Sequence, residues 1–282
     1  MTDMSSIPGI NEADAALLSA ALAEQDRRIQ RVDLSNRTVW VKRYGTEGAL
    51  LWQKLYGPFS GVLPVAFRPA PRLAPEAMIE QEMRRIARFR QAGFRVPEVL
   101  YRSGRTLVLS DSGPTVIAGL RERSADSPAY EALLVECTAT LGRLHAAGLS
   151  HGRPAPRDMT MEPPEGGGLG FLDFEEDPEA VMPLAAAQAR DLWVLFFQLS
   201  SRTKTPSETL PCAFAAWRRA APAAAEAQLR GIIRFAARFL PLARLIGRVR
   251  MGSDLRRFIV ATGYLEKALQ SGMATGKAGQ ND

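Results

Sequence analysis

The sequence predicts an α+β fold, with a small strand-rich part first and a larger, mainly helical part after it. Three observations carry this expectation. Short runs of alternating or β-branched residues lie before residue 110, apart from one at 170–172. Apolar residues at helical spacing dominate from Pro128 onward. A chain of 282 residues, 46% of them hydrophobic, can bury one large core or two modest ones.

Taken in order, residues 11–24 predict a short helix and residues 28–34 a strand of alternating exposure. After a turn at Ser35-Asn36, Thr38 to Lys42 reads as a second strand that ends on a lysine among large apolar residues. Residues 49–67 are nearly all apolar, with Lys54 the one charge, but two prolines and two glycines interrupt them. A spanning helix needs about 20 uninterrupted apolar residues, so this segment does not span. It either packs on the strand-rich part as an insertion at about 47–75, or dips Trp52, Tyr56 and Phe59 into lipid headgroups.

A helix from Glu76 to about Gln91 follows, with Met78, Ile79, Met83, Ile86 and Phe89 on its apolar side. Read alone, its Glu80 and Glu82 are solvated charges that balance Arg84, Arg85 and Arg88. Thr106 to Leu109 is the next strand, and Ser110 to Pro114 a polar connector. Pro128 to Leu149 predicts a long helix with Gly148 as its stop signal. Ala185 to Leu199 predicts another, with Asp191 deep inside it, where a carboxylate is costly unless hydrogen-bonded. Arg230, Arg234 and Arg238 then repeat every four residues and Arg244 and Arg248 continue, beside Ile232, Ile233, Phe235, Phe239, Leu240 and Leu245. This surface is either the charged face of packed helices or a face for an anionic membrane. The polar tail, 272–282, predicts disorder.

Composition excludes several classes of function. A net charge of +6 favours anionic partners such as ATP or membrane phosphates. Nucleic acid is not expected, because no base-reading module or interleaving of aromatic and basic residues is visible. The start, MTDMSSIPGINEADAALL, has no basic segment followed by an apolar run, so a cytoplasmic protein is expected. Cys137 and Cys212 form no metal or disulfide pattern and read as small core residues. His145 and His151, with no third nitrogen ligand, make a poor zinc site. Gly148-Leu149-Ser150-His151-Gly152 satisfies the G-x-S-x-G form, but a helix precedes it and no histidine follows, which excludes a serine hydrolase.

Chemistry concentrates in residues 141–177, LGRLHAAGLSHGRPAPRDMTMEPPEGGGLGFLDFEED. A helix delivers His151 into a loop, a turn follows at Pro163 to Gly168, and Gly170 to Leu172 reads as a short buried strand ending on Asp173. Asp158 and Asp173 are thereby brought back toward each other, which suits a divalent cation with hard oxygen ligands.

This stretch resembles the catalytic core of protein-kinase-like phosphotransferases, above all the bacterial branch of lipopolysaccharide-core (Kdo/heptose) kinases and small atypical kinases. In that pattern a helix ending in Leu-His leads to His-Gly-Asp, an Asn five residues on, a hairpin, and an apolar strand into a metal-binding Asp. His151-Gly152 and Asp173 match, and Asp158 stands at the Asn position. Arg153 occupies the place of the catalytic Asp, and Glu175 that of a Gly. The resemblance implies a two-lobed fold, with an N-lobe at 1–113 and a helical C-lobe at 114–271. It assigns nucleotide phosphates to Lys42, the pairing glutamate to Glu82 with Glu80 as fallback, and the adenine-reading hinge to Leu109 and Asp111. Asp191 accepts bonds from the catalytic-loop backbone, in which Asp158, Arg153 and His151 are the catalytic candidates. The implied cofactors are ATP and Mg2+, the metal being held by Asp173 and Asp158. The implied acceptor is a lipopolysaccharide or lipid-linked envelope precursor at the inner membrane face. Residues 20–41 contain no glycine, so a glycine-rich phosphate loop is missing. The alternative is a pseudokinase, a binding or scaffolding module at the membrane surface.

Overall fold

The computed structural model describes residues 7, 9–24, 26–45, 68, 73–161 and 168–278, with side chains as far as residue 271. The apolar insertion expected at 47–75 lies outside the described residues, except for residues 68 and 73–75.

Four strands, β1 (Ile29–Asp33), β2 (Thr38–Arg43), β3 (Val99–Ser103) and β4 (Thr106–Ser110), form an antiparallel sheet in the order β1-β2-β4-β3. Strand alternation gives the sheet two apolar faces. Val39, Val41 and Val108 pack with Ile7, Leu18 and Ala21 beneath α1 (Glu12–Ala23). Leu107 and Leu109, with Trp40 beside them, belong to the other core, which holds Ile79, Ile86 and Phe89 of α2 (Pro75–Gln91). Lys42 lies two residues from Trp40 and opposite Leu107, so the pleat turns it to the α2 face. Strand β3 escaped the sequence reading, because a bulge between Val99 and Tyr101 breaks the alternation that would have marked it.

The rest is mainly helical: α3 (Val116–Glu122), α4 (Pro128–Ala146), α5 (Leu184–Ser200), α6 (Pro206–Arg218), α7 (Ala223–Ala237), α8 (Leu240–Val249) and α9 (Ser253–Ala278). The α9 backbone continues to Ala278, into the tail that the sequence reading expected to be disordered. Helix α4 starts where Ser127 accepts a hydrogen bond from the Tyr130 amide and Pro128 fills the first turn. It lies along α6, and Gly142 makes that approach possible: a Cβ there would stand 2.8 Å from the Trp217 carbonyl oxygen. Helix α5 packs against α7 and α9 and buries Leu192, Leu195, Phe196 and Leu199. One apolar cluster runs from Ile79 on α2 through Phe171 and Phe174 to Leu269 on α9, so sheet and helices share a core. Cys137 is buried as expected, whereas Cys212 is exposed on α6 and is not a core residue. Among the described residues, no helix is long and apolar enough to cross a membrane.

Candidate active site

A short hairpin brings the two aspartates together. Strands β5 (Met159–Thr160) and β6 (Gly170–Phe171) pair antiparallel, and beyond them the Leu172 amide donates to the Asp158 carbonyl at 2.8 Å. Asp158 enters β5 from a 3-10 turn, Pro156–Asp158, and Asp173 leaves β6 one residue past Leu172, so both carboxylates sit at the same end of the hairpin. Asp173 has φ 62°, the left-handed region that residues other than glycine seldom occupy. A strained residue of this kind persists only where its surroundings hold it.

What holds Asp173 is Lys42. The Lys42 ammonium lies 2.9 Å from each carboxylate oxygen of Glu82, 3.2 Å from Asp173 Oδ1 and 2.8 Å from Glu175 Oε1. Tyr44 donates its hydroxyl to Glu82, and Arg28 bonds both oxygens of Glu175. Lys42 and Glu82 are buried. Burial alone would push the lysine down, but the charges of Glu82, Asp173 and Glu175 outweigh it and hold the ammonium protonated. Burial likewise works to raise Asp173, and Lys42, by charge and by hydrogen bond, keeps its carboxyl below the usual range.

Asp158 is left in the opposite state. Burial, then the charge of Asp173, raises its carboxyl to about 7, while Arg157 and Arg153 oppose the shift only partly. Its folded value exceeds its unfolded one, so its ionisation costs the fold stability as pH rises from about 4 through about 7. A cation between the two aspartates would relieve that cost. Two hard carboxylates suit magnesium, which takes one or two protein carboxylates and completes its shell with water and substrate phosphate. A closed protein cage is a different kind of site, and among the described residues no three acidic, histidine or cysteine side chains are placed to hold a metal ion by themselves.

The loop between α4 and the hairpin hangs on Asp191. Its carboxylate accepts the amides of His151 at 2.5 Å and of Gly152 at 2.8 Å. Gly152 has φ 102°, and a Cβ there would meet the Glu176 carbonyl oxygen at 2.8 Å, so the loop needs glycine at this position. Arg85 of α2 clamps the same loop, donating to the carbonyls of Ser150 at 2.6 Å, His151 at 2.9 Å and Glu176 at 2.6 Å. Gln81 donates to the Glu175 carbonyl at 2.5 Å.

The expected site residues thus fall into groups. Lys42, Glu82, Asp173 and Asp158 converge, and Arg153 stands half-exposed at the rim, 3.6 Å from Glu176, with its charge felt by both aspartates. Glu80 is not the partner of Lys42; it is exposed and pairs with Arg102. His151 does not meet the demands of a catalytic residue. Its ring is fully buried among Phe89, Phe171 and Phe174, its Nε2 donates to the Leu172 carbonyl at 2.9 Å, and burial lowers its pKa to about 4. His145 is equally structural: Nδ1 accepts from Trp217 at 3.0 Å, which leaves the proton on Nε2, 3.5 Å from Asp191. Ser150 is buried and donates to Glu179 at 2.9 Å, so the G-x-S-x-G match carries no nucleophile. Leu109 and Asp111 lie at the end of β4, where Asp111 accepts from Trp40 at 2.7 Å and from the Gly113 amide at 3.1 Å, fixing the connector.

Sequence reasoning missed Arg28, Tyr44, Gln81 and Arg85. Arg85 is buried, not solvated, and a signal existed: it stands three residues after Glu82, as Gln81 stands four before it, on one side of α2.

No family model matches this chain. Among curated proteins it is similar to an uncharacterized protein of Haemophilus influenzae, 30% identical over 129 residues. The match covers 46% of this chain and 50% of the relative, so the chain spans about half the length of the curated relative it matches.

Proposed function

We propose that this protein is an ATP- and magnesium-dependent phosphotransferase on a two-lobed, protein-kinase-like fold. The observation that carries the reading is the buried Lys42–Glu82 pair, with the lysine ammonium 3.2 Å from Asp173. A lysine held this way by a helix carboxylate, beside an acidic hairpin end, is the electrostatic arrangement that phosphoryl transfer uses.

Lys42 binds the nucleotide phosphates, exchanging its contact with Glu175 for a phosphate oxygen. Asp173 and Asp158 are the residues that would hold magnesium, which would supply charge neutralisation to the phosphates. Arg153 draws the anionic γ-phosphoryl group toward the rim. The bond between the γ-phosphorus and the bridging oxygen to the β-phosphate breaks, a bond to the acceptor oxygen forms, and ADP leaves. The acceptor hydroxyl gives its proton to Asp158, since Arg153 stands where the usual base would be. Base assistance accounts for about 10²–10⁴-fold in such reactions, the smaller share of the rate enhancement.

A proton on Asp158 blocks both of its roles. At subsaturating ATP and magnesium, where the free protein sets the rate, turnover is therefore expected to rise with pH through about 7, the value to which burial and Asp173 raise this carboxyl before a cation arrives. Asp158→Asn should lose that rise and about 10²-fold of the rate. A profile flat from pH 5.5 to 8 in the unchanged protein, set with about three points per unit, would contradict the assignment.

A second reading, a pseudokinase that binds nucleotide or a partner without transfer, is favoured by Arg153 at the base position and by Glu175 engaging Lys42. Magnesium-dependent ATP binding with no phosphate transfer to water or to any lipid-linked sugar would select it.

A further inference from the structure

Helix α8 has two unlike sides. Leu240 and Ala243 are buried against the body, while Leu242, Leu245, Ile246 and Val249, at i, i+3, i+4 and i+7, form an exposed apolar stripe. Val249 is 90% exposed, and Phe239 and Met251 extend the stripe at both ends. A contiguous apolar patch of this kind marks a contact surface.

Charge identifies the occupant. From Glu226 to Asp254 the intervening chain carries six arginines and no carboxylate. Arg234, Arg238, Arg244, Arg248 and Arg250 are exposed and make no ion pair among the described residues. Arg244 also stands beside a cleft of about 300 Å³ between α6 and α9, whose walls include Ser207, Tyr264 and Lys267. A second copy docking about a twofold axis would set these arginines against one another. Nucleic acid would leave the apolar stripe unmatched against phosphates.

We propose that α8 docks this protein on an anionic lipid bilayer. The stripe lies in the boundary between headgroups and acyl chains, the arginines meet the headgroup phosphates, and the cleft between Arg244 and Lys267 receives one of them. The inference rests on α8 and its surroundings and is independent of the nucleotide reading.

The test is sedimentation of the full chain with vesicles of phosphatidylglycerol and, separately, of phosphatidylcholine, at low and high salt. Binding is expected to phosphatidylglycerol alone and to weaken with salt. Val249→Asp and Leu245→Ser should each weaken it by about tenfold or more, and Arg244→Gln by about fivefold. No binding at low salt, equal binding to both lipids, or binding unchanged in Val249→Asp would overturn the proposal. Melting of each variant is measured in parallel. A large loss of stability in Val249→Asp would assign the stripe to packing within the chain. A dimer in sedimentation equilibrium that Val249→Asp disperses would assign it to a second copy, and either result rejects the membrane.

Discussion

Asp191→Ala is expected to destabilise the protein by about 3–5 kcal/mol, the cost of breaking a fully buried charged network by removing one side of it. The Asp191 side chain is 0% exposed, and its two oxygens accept the His151 and Gly152 amides. With alanine, both amides lose their acceptor, and water cannot reach them to compensate. The His145 Nε2 proton also loses the carboxylate 3.5 Å away. Asp191→Asn keeps one acceptor oxygen but turns an N–H toward the other amide, so it should cost about half as much. Urea unfolding followed by tryptophan fluorescence reads both values. A loss under about 1 kcal/mol for alanine would mean that the loop is held by something else, with Arg85 the alternative clamp.

Lys42→Ala is expected to cost about 3–5 kcal/mol at alkaline pH, because Glu82 is then a buried carboxylate with only the Tyr44 hydroxyl to satisfy it. The sign with pH follows from the carboxyl. Burial pushes Glu82 up, and without the ammonium its folded pKa rises well above the unfolded value. The variant therefore folds best at low pH, where Glu82 is protonated in both states, and loses stability as pH rises. The unchanged protein, in which the Lys42 ammonium opposes the effect of burial on Glu82, should show a shallower loss. Replacing both residues, Lys42→Met with Glu82→Met, should recover most of the loss, since a well-packed apolar pair substitutes for a buried ion pair at little cost. A loss of stability from pH 6 to pH 9 that is no larger in Lys42→Ala than in the parent, two points about three units apart, would show that Glu82 does not depend on Lys42 to stay ionised.

How far the sequence revealed these networks depended on range. Strands such as Thr38–Arg43 and helices such as Pro128–Ala146 were legible because period, caps and prolines act within a few residues. The convergence of Asp158 and Asp173 was also legible, since a short hairpin closes the loop between them. The contacts that cross the fold were not. Nothing local tells Arg28 to meet Glu175 or Arg85 to reach the carbonyls of residues 150, 151 and 176. Both arginines look like ordinary solvated charges until the start of β1 and helix α2 are laid against residues 150–176. His151 misled for a related reason: a histidine in a polar loop reads as chemical, yet three phenylalanines from two distant segments enclose it.

The most direct measurement is calorimetric titration of the protein with ATP, with and without magnesium, beside Asp173→Asn. Asparagine tolerates the left-handed backbone at this position and removes only the charge, and Lys42 keeps Glu82 and Glu175, so the variant should fold as the parent does. The account predicts binding that requires magnesium in the parent and falls about 100-fold or more in the variant. Binding that is absent in the parent, or that is equally tight without magnesium and in Asp173→Asn, would contradict it.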